Sequence, residues 1–176
     1  MDLRHHISLA CGIVLAGCLT SATAFAQPAA PASGDAGFMS TAMASGLAEI
    51  DEARMVLRKS QNPAVQAFAQ RMIQDHSLAD SQLEAMAKEK GLPIPQTPTP
   101  QQQAQASQLQ SLSGQQFDAN YARDQVKDHE QAVALFQQEM NSTGDLQIRN
   151  LAATTLPVLQ QHLKLARQLE QQVAGQ

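Results

Sequence analysis

A chain of 176 residues has room for one domain around a single core, and a hydrophobic content of 43% is ordinary for a globular protein. A formal net charge of −4, scattered along the chain, excludes the basic face that a nucleic-acid binder needs. Aromatic residues are 3% of the chain and no stretch shows the period-two alternation of a strand, so the composition excludes a sheet and specifies an all-α fold.

The first segment reads as an address. Arg4, His5 and His6 form a polar start, Ile7 to Leu19 is an apolar run too short to span a bilayer, and Ala24-Phe25-Ala26 before Gln27 is a small-x-small cleavage site. This predicts a signal peptide over 1–26, export to the periplasm, and a mature chain without a transmembrane helix. Leu15-Ala16-Gly17-Cys18 also fits a lipobox, which would instead anchor the protein through a lipid on Cys18. Both cysteines, Cys11 and Cys18, lie in this segment, so the folded part has no disulfide to rely on. Residues 27–37 are a Pro, Ala, Ser and Gly linker with nothing to bury, expected to be disordered. The helical domain is expected over 38–174.

The first helix is predicted from Phe38 to about Ser60, with Met43, Leu47, Ile50 and Leu57 on one apolar stripe and Glu49 on the adjoining one. Asn62-Pro63 closes it and opens the second helix, as N-cap and first helical residue, and that helix runs to Gly91. GLPIPQTPTP is extended by its prolines, and Gln101 to Leu112 has the composition of a short extra helix. Together they are long enough to travel the length of a helix, which predicts a crossover between two antiparallel hairpins. Ser113-Gly114-Gln115-Gln116 reads as a capping box for the third long helix, which runs to Met140, and Asp145 as the cap of the fourth. Pro157 falls inside that last helix, where it removes a backbone hydrogen bond and is expected to kink it.

Three stripes share one anomaly. Val65, Ala69, Met72, His76, Ala79 and Leu83 follow steps of four and three, as do Ala122, Val126, His129, Val133 and Phe136, and again Ala152, Thr155, Leu159, His162, Ala166 and Leu169. Each stripe carries one histidine near its middle. A stripe takes roughly three positions in seven, so three of three by accident falls below about one in ten. Counted along the helices, Glu49, His76 and His129 lie at a common depth, while His162 is off by about one turn. Imidazoles and a carboxylate from four helices would hold one transition metal ion, zinc, iron, copper or manganese, at Glu49, His76, His129 and His162. Asp75 and Asp128 adjoin their histidines and face away from them on a helix, so they are expected to support the site or lie on the surface. The competing reading is a hydrogen-bonded polar core layer around Glu49, Tyr121 or Thr155 with no metal. The methionines, at helical spacing, read as core.

Helix, Asn-Pro, helix with Asp-His, a Pro-rich crossover, then Leu112, Ser113, Gly114, Phe117, Asp118 and Tyr121, a second His, and Leu156-Pro157 followed by His162 resemble an exported bacterial ferritin-like family, domain of unknown function 4142. The resemblance spans Phe38 to about Val173 and implies a ferritin-like four-helix bundle in the cell envelope; it implies no chemistry. A di-iron centre needs Glu-x-x-His on two helices, and Ile73 and Leu159 stand three residues before His76 and His162. Ferroxidase and iron-storage functions are therefore not expected. No nucleophile triad, phosphate loop or zincin motif is present. Two functional classes stay open: a metal-binding envelope protein, and a non-catalytic module that binds another envelope component.

Overall fold

The computed structural model describes residues 34–142 and 144–174, which form five helices: α1 Asp35–Lys59, α2 Pro63–Lys90, α3 Pro100–Ser111, α4 Gly114–Met140 and α5 Leu146–Ala174. The signal-segment readings, Cys18 included, and most of the 27–37 linker lie outside the described residues. Residues 35–37 instead belong to the first turn of α1, where Phe38 N–H donates to Gly34 O at 3.0 Å. The earlier start has a tertiary cause: Asp35 Oδ2 accepts a 2.8 Å hydrogen bond from the Asp145 amide, which ties this turn to the start of α5.

Local chemistry sets the helix ends. Asn62 Oδ1 accepts from the amides of Ala64 at 2.9 Å and Val65 at 3.4 Å, with Pro63 at the first helical position. Gly91 ends α2 in the left-handed region at φ 65°, which a side chain would strain. Asp145 Oδ1 caps α5 through the Gln147 and Ile148 amides at 2.8 and 3.3 Å. The capping box expected at Ser113 is absent, since Ser113 makes no side-chain cap bond; Gly114 enters α4 at φ 56°, which turns the chain away from the geometry a serine cap needs. The capping box sits instead on α3, between Thr99 and Gln102. Helix α5 continues through Pro157 from Leu146 to Ala174.

Contacts at the ends fix the topology. Lys90, closing α2, bonds Asp145 before α5 at 2.9 Å, and Asp145 is held to Asp35 at the start of α1. At the opposite end Lys59, closing α1, lies 5.2 Å over the Phe117 ring at the start of α4. Helices α1 and α2 are therefore one antiparallel hairpin and α4 and α5 another, and α2 and α4 run parallel, as the crossover requires. α1 packs on α4 and α2 on α5. This is the single-crossover connectivity of a ferritin-like bundle. α3 rests across α1 and α4 and buries only Leu109.

The core is not continuous along the bundle. One apolar cluster includes Val56, Val65, Phe68, Met72, Phe117, Tyr121 and Leu169; the other, towards the α4–α5 loop, includes Phe38, Met39, Met43, Leu83, Phe136, Ile148 and Leu159. Met39, Met43, Met55 and Met72 are core, as their spacing predicts, while Met86 is half-buried and Met140, at the end of α4, is exposed. Between the clusters lies a polar layer of Glu49, His76, Gln125, His129 and His162, each buried.

Candidate metal centre in the polar layer

The layer brings together three residues from three helices. The ring centroids of His76 on α2, His129 on α4 and His162 on α5 are 5.7, 5.5 and 5.3 Å apart, and one ring nitrogen of each lies within 4.8 Å of the others. The one-turn offset of His162 closes because helical side chains lean towards their own N-terminus. His162 leans towards the α4–α5 loop, where α5 begins, while His76 and His129 lean away from it.

Hydrogen bonds fix two of the rings. His129 Nδ1 donates to the Gln125 main-chain oxygen at 2.9 Å, and His162 Nε2 donates to Asp75 Oδ2 at 2.8 Å. Their other nitrogens, His129 Nε2 and His162 Nδ1, are thereby left as lone-pair acceptors. Both are buried without a partner, as is His76 Nε2. Burial, and for His76 also the neighbouring rings of His129 and His162, hold all three imidazoles below the usual histidine range. Neutral rings with orphaned lone pairs are the form in which histidine ligates a metal.

Glu49 is not among the converging groups. Its Oε2 accepts from Gln125 Nε2 at 2.6 Å, and its Oε1 lies 3.9 Å from His129 Nδ1. The four-residue set read from the sequence thus becomes three histidines with Glu49 behind one of them. Asp75 reaches His162 across the α2–α5 contact, and the same Asp75 oxygen accepts from Arg71 Nε at 3.1 Å. Asp128 takes no part in the cluster and accepts from Gln105 on α3 at 2.7 Å.

His76 and His129 also line a cleft of about 550 Å³ between α1, α3 and α4. Its walls are acidic, with Glu49, Glu52 and Asp128. Burial, then the charge of Asp128, pushes Glu49 up to about 8; burial, then Glu49, pushes Glu52 up to about 9. The Gln105 amide, which gives one N–H to Asp128, partly offsets the shift of Glu52 from nearby, although neither Glu52 oxygen lies within hydrogen-bond range of a donor.

Residues 20–169 match the profile of the Domain of unknown function (DUF4142). The chain belongs to the DUF4142 family. No curated protein matches it significantly. Among solved structures, a DUF305 fragment from Deinococcus radiodurans superposes with a TM-score of 0.69 at 19% identity, over 84% of this chain and 100% of that one. A DUF305 protein from Streptomyces coelicolor superposes with a TM-score of 0.68 at 16% identity, over 80% of this chain and 92% of that one. At these identities the likeness is one of fold. No described helix of this DUF4142 protein is long and apolar enough to cross a membrane.

Sequence reasoning missed Glu52 and Gln125. Both had a signal, since Glu52 follows Glu49 by three residues and Gln125 precedes His129 by four, which places each on the face of a residue already singled out.

Proposed function

We propose that this DUF4142 protein is an exported envelope protein that binds one transition metal ion through His76, His129 and His162. The single observation that carries this reading is the set of three buried, unpartnered imidazole nitrogens on converging rings. Burying one polar atom without a partner costs about 1 to 3 kcal/mol, so three together are a standing debt that a metal would cancel. Two nitrogens on one tetrahedral ion lie about 3.3 Å apart, so ordinary side-chain adjustment would close the cluster onto it. Three neutral imidazoles suit zinc and copper first and iron next, and manganese, which favours oxygen donors, least. Asp75 and the Gln125 carbonyl would orient the rings, and the cleft beside His76 and His129 would leave a further coordination position open to solvent or to a small ligand.

The alternative, a hydrogen-bonded layer around Glu49, Tyr121 or Thr155 that holds register in an envelope interaction module, requires those groups to satisfy the imidazoles, whereas Thr155 Oγ1 donates to the Leu151 carbonyl and the Tyr121 hydroxyl has no partner. The orphaned nitrogens weigh against it. A thermal melt of untagged mature protein with chelator, and with added zinc or copper, tests the proposal. The metal should raise the melting temperature, by an amount equivalent to about 2.7 kcal/mol at a hundredfold excess over Kd. Indifference to chelator and to zinc, copper, iron and manganese alike would overturn it.

A further inference from the structure

The cleft beneath α3 ends at a second group of mismatched polar atoms, separate from the imidazole nitrogens. The Glu52 side chain is 2% exposed and neither of its oxygens has a hydrogen-bond partner. Gln125 is wholly buried; its Nε2 donates to Glu49 Oε2 at 2.6 Å, while its Oε1 has no donor. Glu49 Oε1, 3.9 Å from His129 Nδ1, is beyond hydrogen-bond range of that ring, whose N–H goes to the Gln125 carbonyl. Glu49 and Glu52 stand three residues apart on α1 and so share a face, and Gln125 meets them from α4. Glu49 and Glu52 line the cleft, and the wholly buried Gln125 stands behind them with its amide bonded to Glu49; the unpartnered Tyr121 hydroxyl is also buried close to both carboxyl groups. Buried carboxyl oxygens without a hydrogen-bond partner are the kind of atom that a bound cation satisfies. The one lysine lining the cleft, Lys127, acts instead on Asp124 and Asp128.

Two carboxylates and an amide oxygen are hard donors, matched to Mn²⁺, Mg²⁺ or Ca²⁺ rather than to the softer ions that imidazoles select. The cleft supplies room for the waters such ions retain. We propose that Glu49, Glu52 and the side-chain oxygen of Gln125 form a second site, at the inner end of the cleft, for a hard divalent cation of the Mn²⁺ class. The site goes beyond the imidazole reading and does not depend on it. It gives the layer two adjoining positions of different chemistry, one nitrogen-lined and one oxygen-lined.

Mn²⁺ is the probe, because its electron paramagnetic resonance signal reports free ion directly. Untagged mature protein, with one equivalent of zinc already added, should remove one equivalent of Mn²⁺ from solution. Glu52→Gln and Glu49→Gln should each weaken that binding tenfold or more. Asp51→Asn, which neutralises an exposed carboxylate next to Glu52 on α1, should change it less than twofold. Circular dichroism reports whether each variant is folded, and because Glu52 is unpaired, its amide variant removes no hydrogen bond. Absence of Mn²⁺ binding, retention of it in both glutamine variants, or its loss in zinc-loaded protein but not in zinc-free protein would overturn the proposal. The last outcome would put Mn²⁺ on the imidazoles. Mn²⁺ binding with no zinc binding would sink the imidazole reading alone.

Discussion

The carboxylate of Asp75, on α2, holds the ring of His162, on α5, through a 2.8 Å hydrogen bond to Nε2. The bond leaves Nδ1 with its lone pair, buried and without a partner. A partner of this kind fixes tautomer and orientation, and its loss typically costs 10- to 100-fold in metal affinity. Asp75→Ala should weaken zinc binding by roughly that factor, measured by competition with a chromogenic chelator. Asp75→Ala also leaves the Nε2 of His162, a ring that is 1% exposed, without its partner, so the metal-free protein should lose about 1 to 3 kcal/mol of stability as well. Unchanged zinc affinity would remove Asp75 from the site.

Glu49 and Glu52 give the metal-free protein a pH dependence of definite sign. Both titrate near 4.5 when exposed and are raised to about 8 and about 9 in the fold, burial being the first cause in each. Their contribution to stability is complete below the ordinary value and is lost as the pH climbs towards the raised ones. Above about pH 6.5, where the three imidazoles are neutral in both states, stability should therefore fall towards pH 9, by up to about 1.4 kcal/mol per pH unit for each proton taken up on folding; below it the lowered histidines act in the opposite sense. Glu52→Gln removes one such proton, so its decline should be shallower. Urea denaturation at pH 7, 8 and 9 in the presence of chelator measures both, and parallel curves would count against the raised carboxylates.

How much of this was legible in the sequence depends on which residue is asked about. The crossover topology was, because Asn62-Pro63 and Asp145 end and start helices by local chemistry and the prolines after Gly91 forbid a tight turn. The three histidines were, because each interrupts an apolar stripe. The place of Glu49 was not: helical phase put it on an inward face but could not say on which side of the His129 ring it would lie. That depends on how α1 and α4 are rotated against each other, with Gln125 between them. Asp75 was read only as a supporting or surface residue beside His76, because its partner is 87 residues away on another helix. The Ser113 cap failed for a local reason that sequence alone hides, the left-handed conformation of Gly114.

Gly46 on α1 and Asp80 on α2 are packed so closely that a Cβ on Gly46 would fall 2.7 Å from Asp80 Cγ and closer still to its Oδ1. Alanine is better than glycine in a helix interior by about 1 kcal/mol. Overpacking typically costs about 1 to 3 kcal/mol, and the buried Asp80 carboxylate has no partner elsewhere to move to. Gly46→Ala should therefore be destabilising on balance. In an Asp80→Ala background the obstacle is gone, and the same substitution should stabilise by about 1 kcal/mol. The reversal of sign is the test, and destabilisation in both backgrounds would place the tight contact somewhere other than at Asp80.

His76 offers the sharpest separation between a metal site and a structural layer. Its Nε2 is buried without a partner, so in the metal-free protein it is a cost. Leucine has a comparable volume and no polar atom, and replacing an unpartnered polar group by an apolar one of similar shape is neutral or stabilising. His76→Leu should therefore leave the chelated protein at least as stable as wild type, with a gain of about 1 kcal/mol corresponding to roughly 3 °C in Tm. Added zinc should no longer raise that temperature, because two imidazoles remain where three converged. If the ring instead holds the layer together by itself, His76→Leu should lower the Tm of the chelated protein by several degrees, and zinc should have had no effect on wild type to begin with. Melts of the two proteins with chelator and with zinc decide between a histidine kept for a ligand and one kept for the fold.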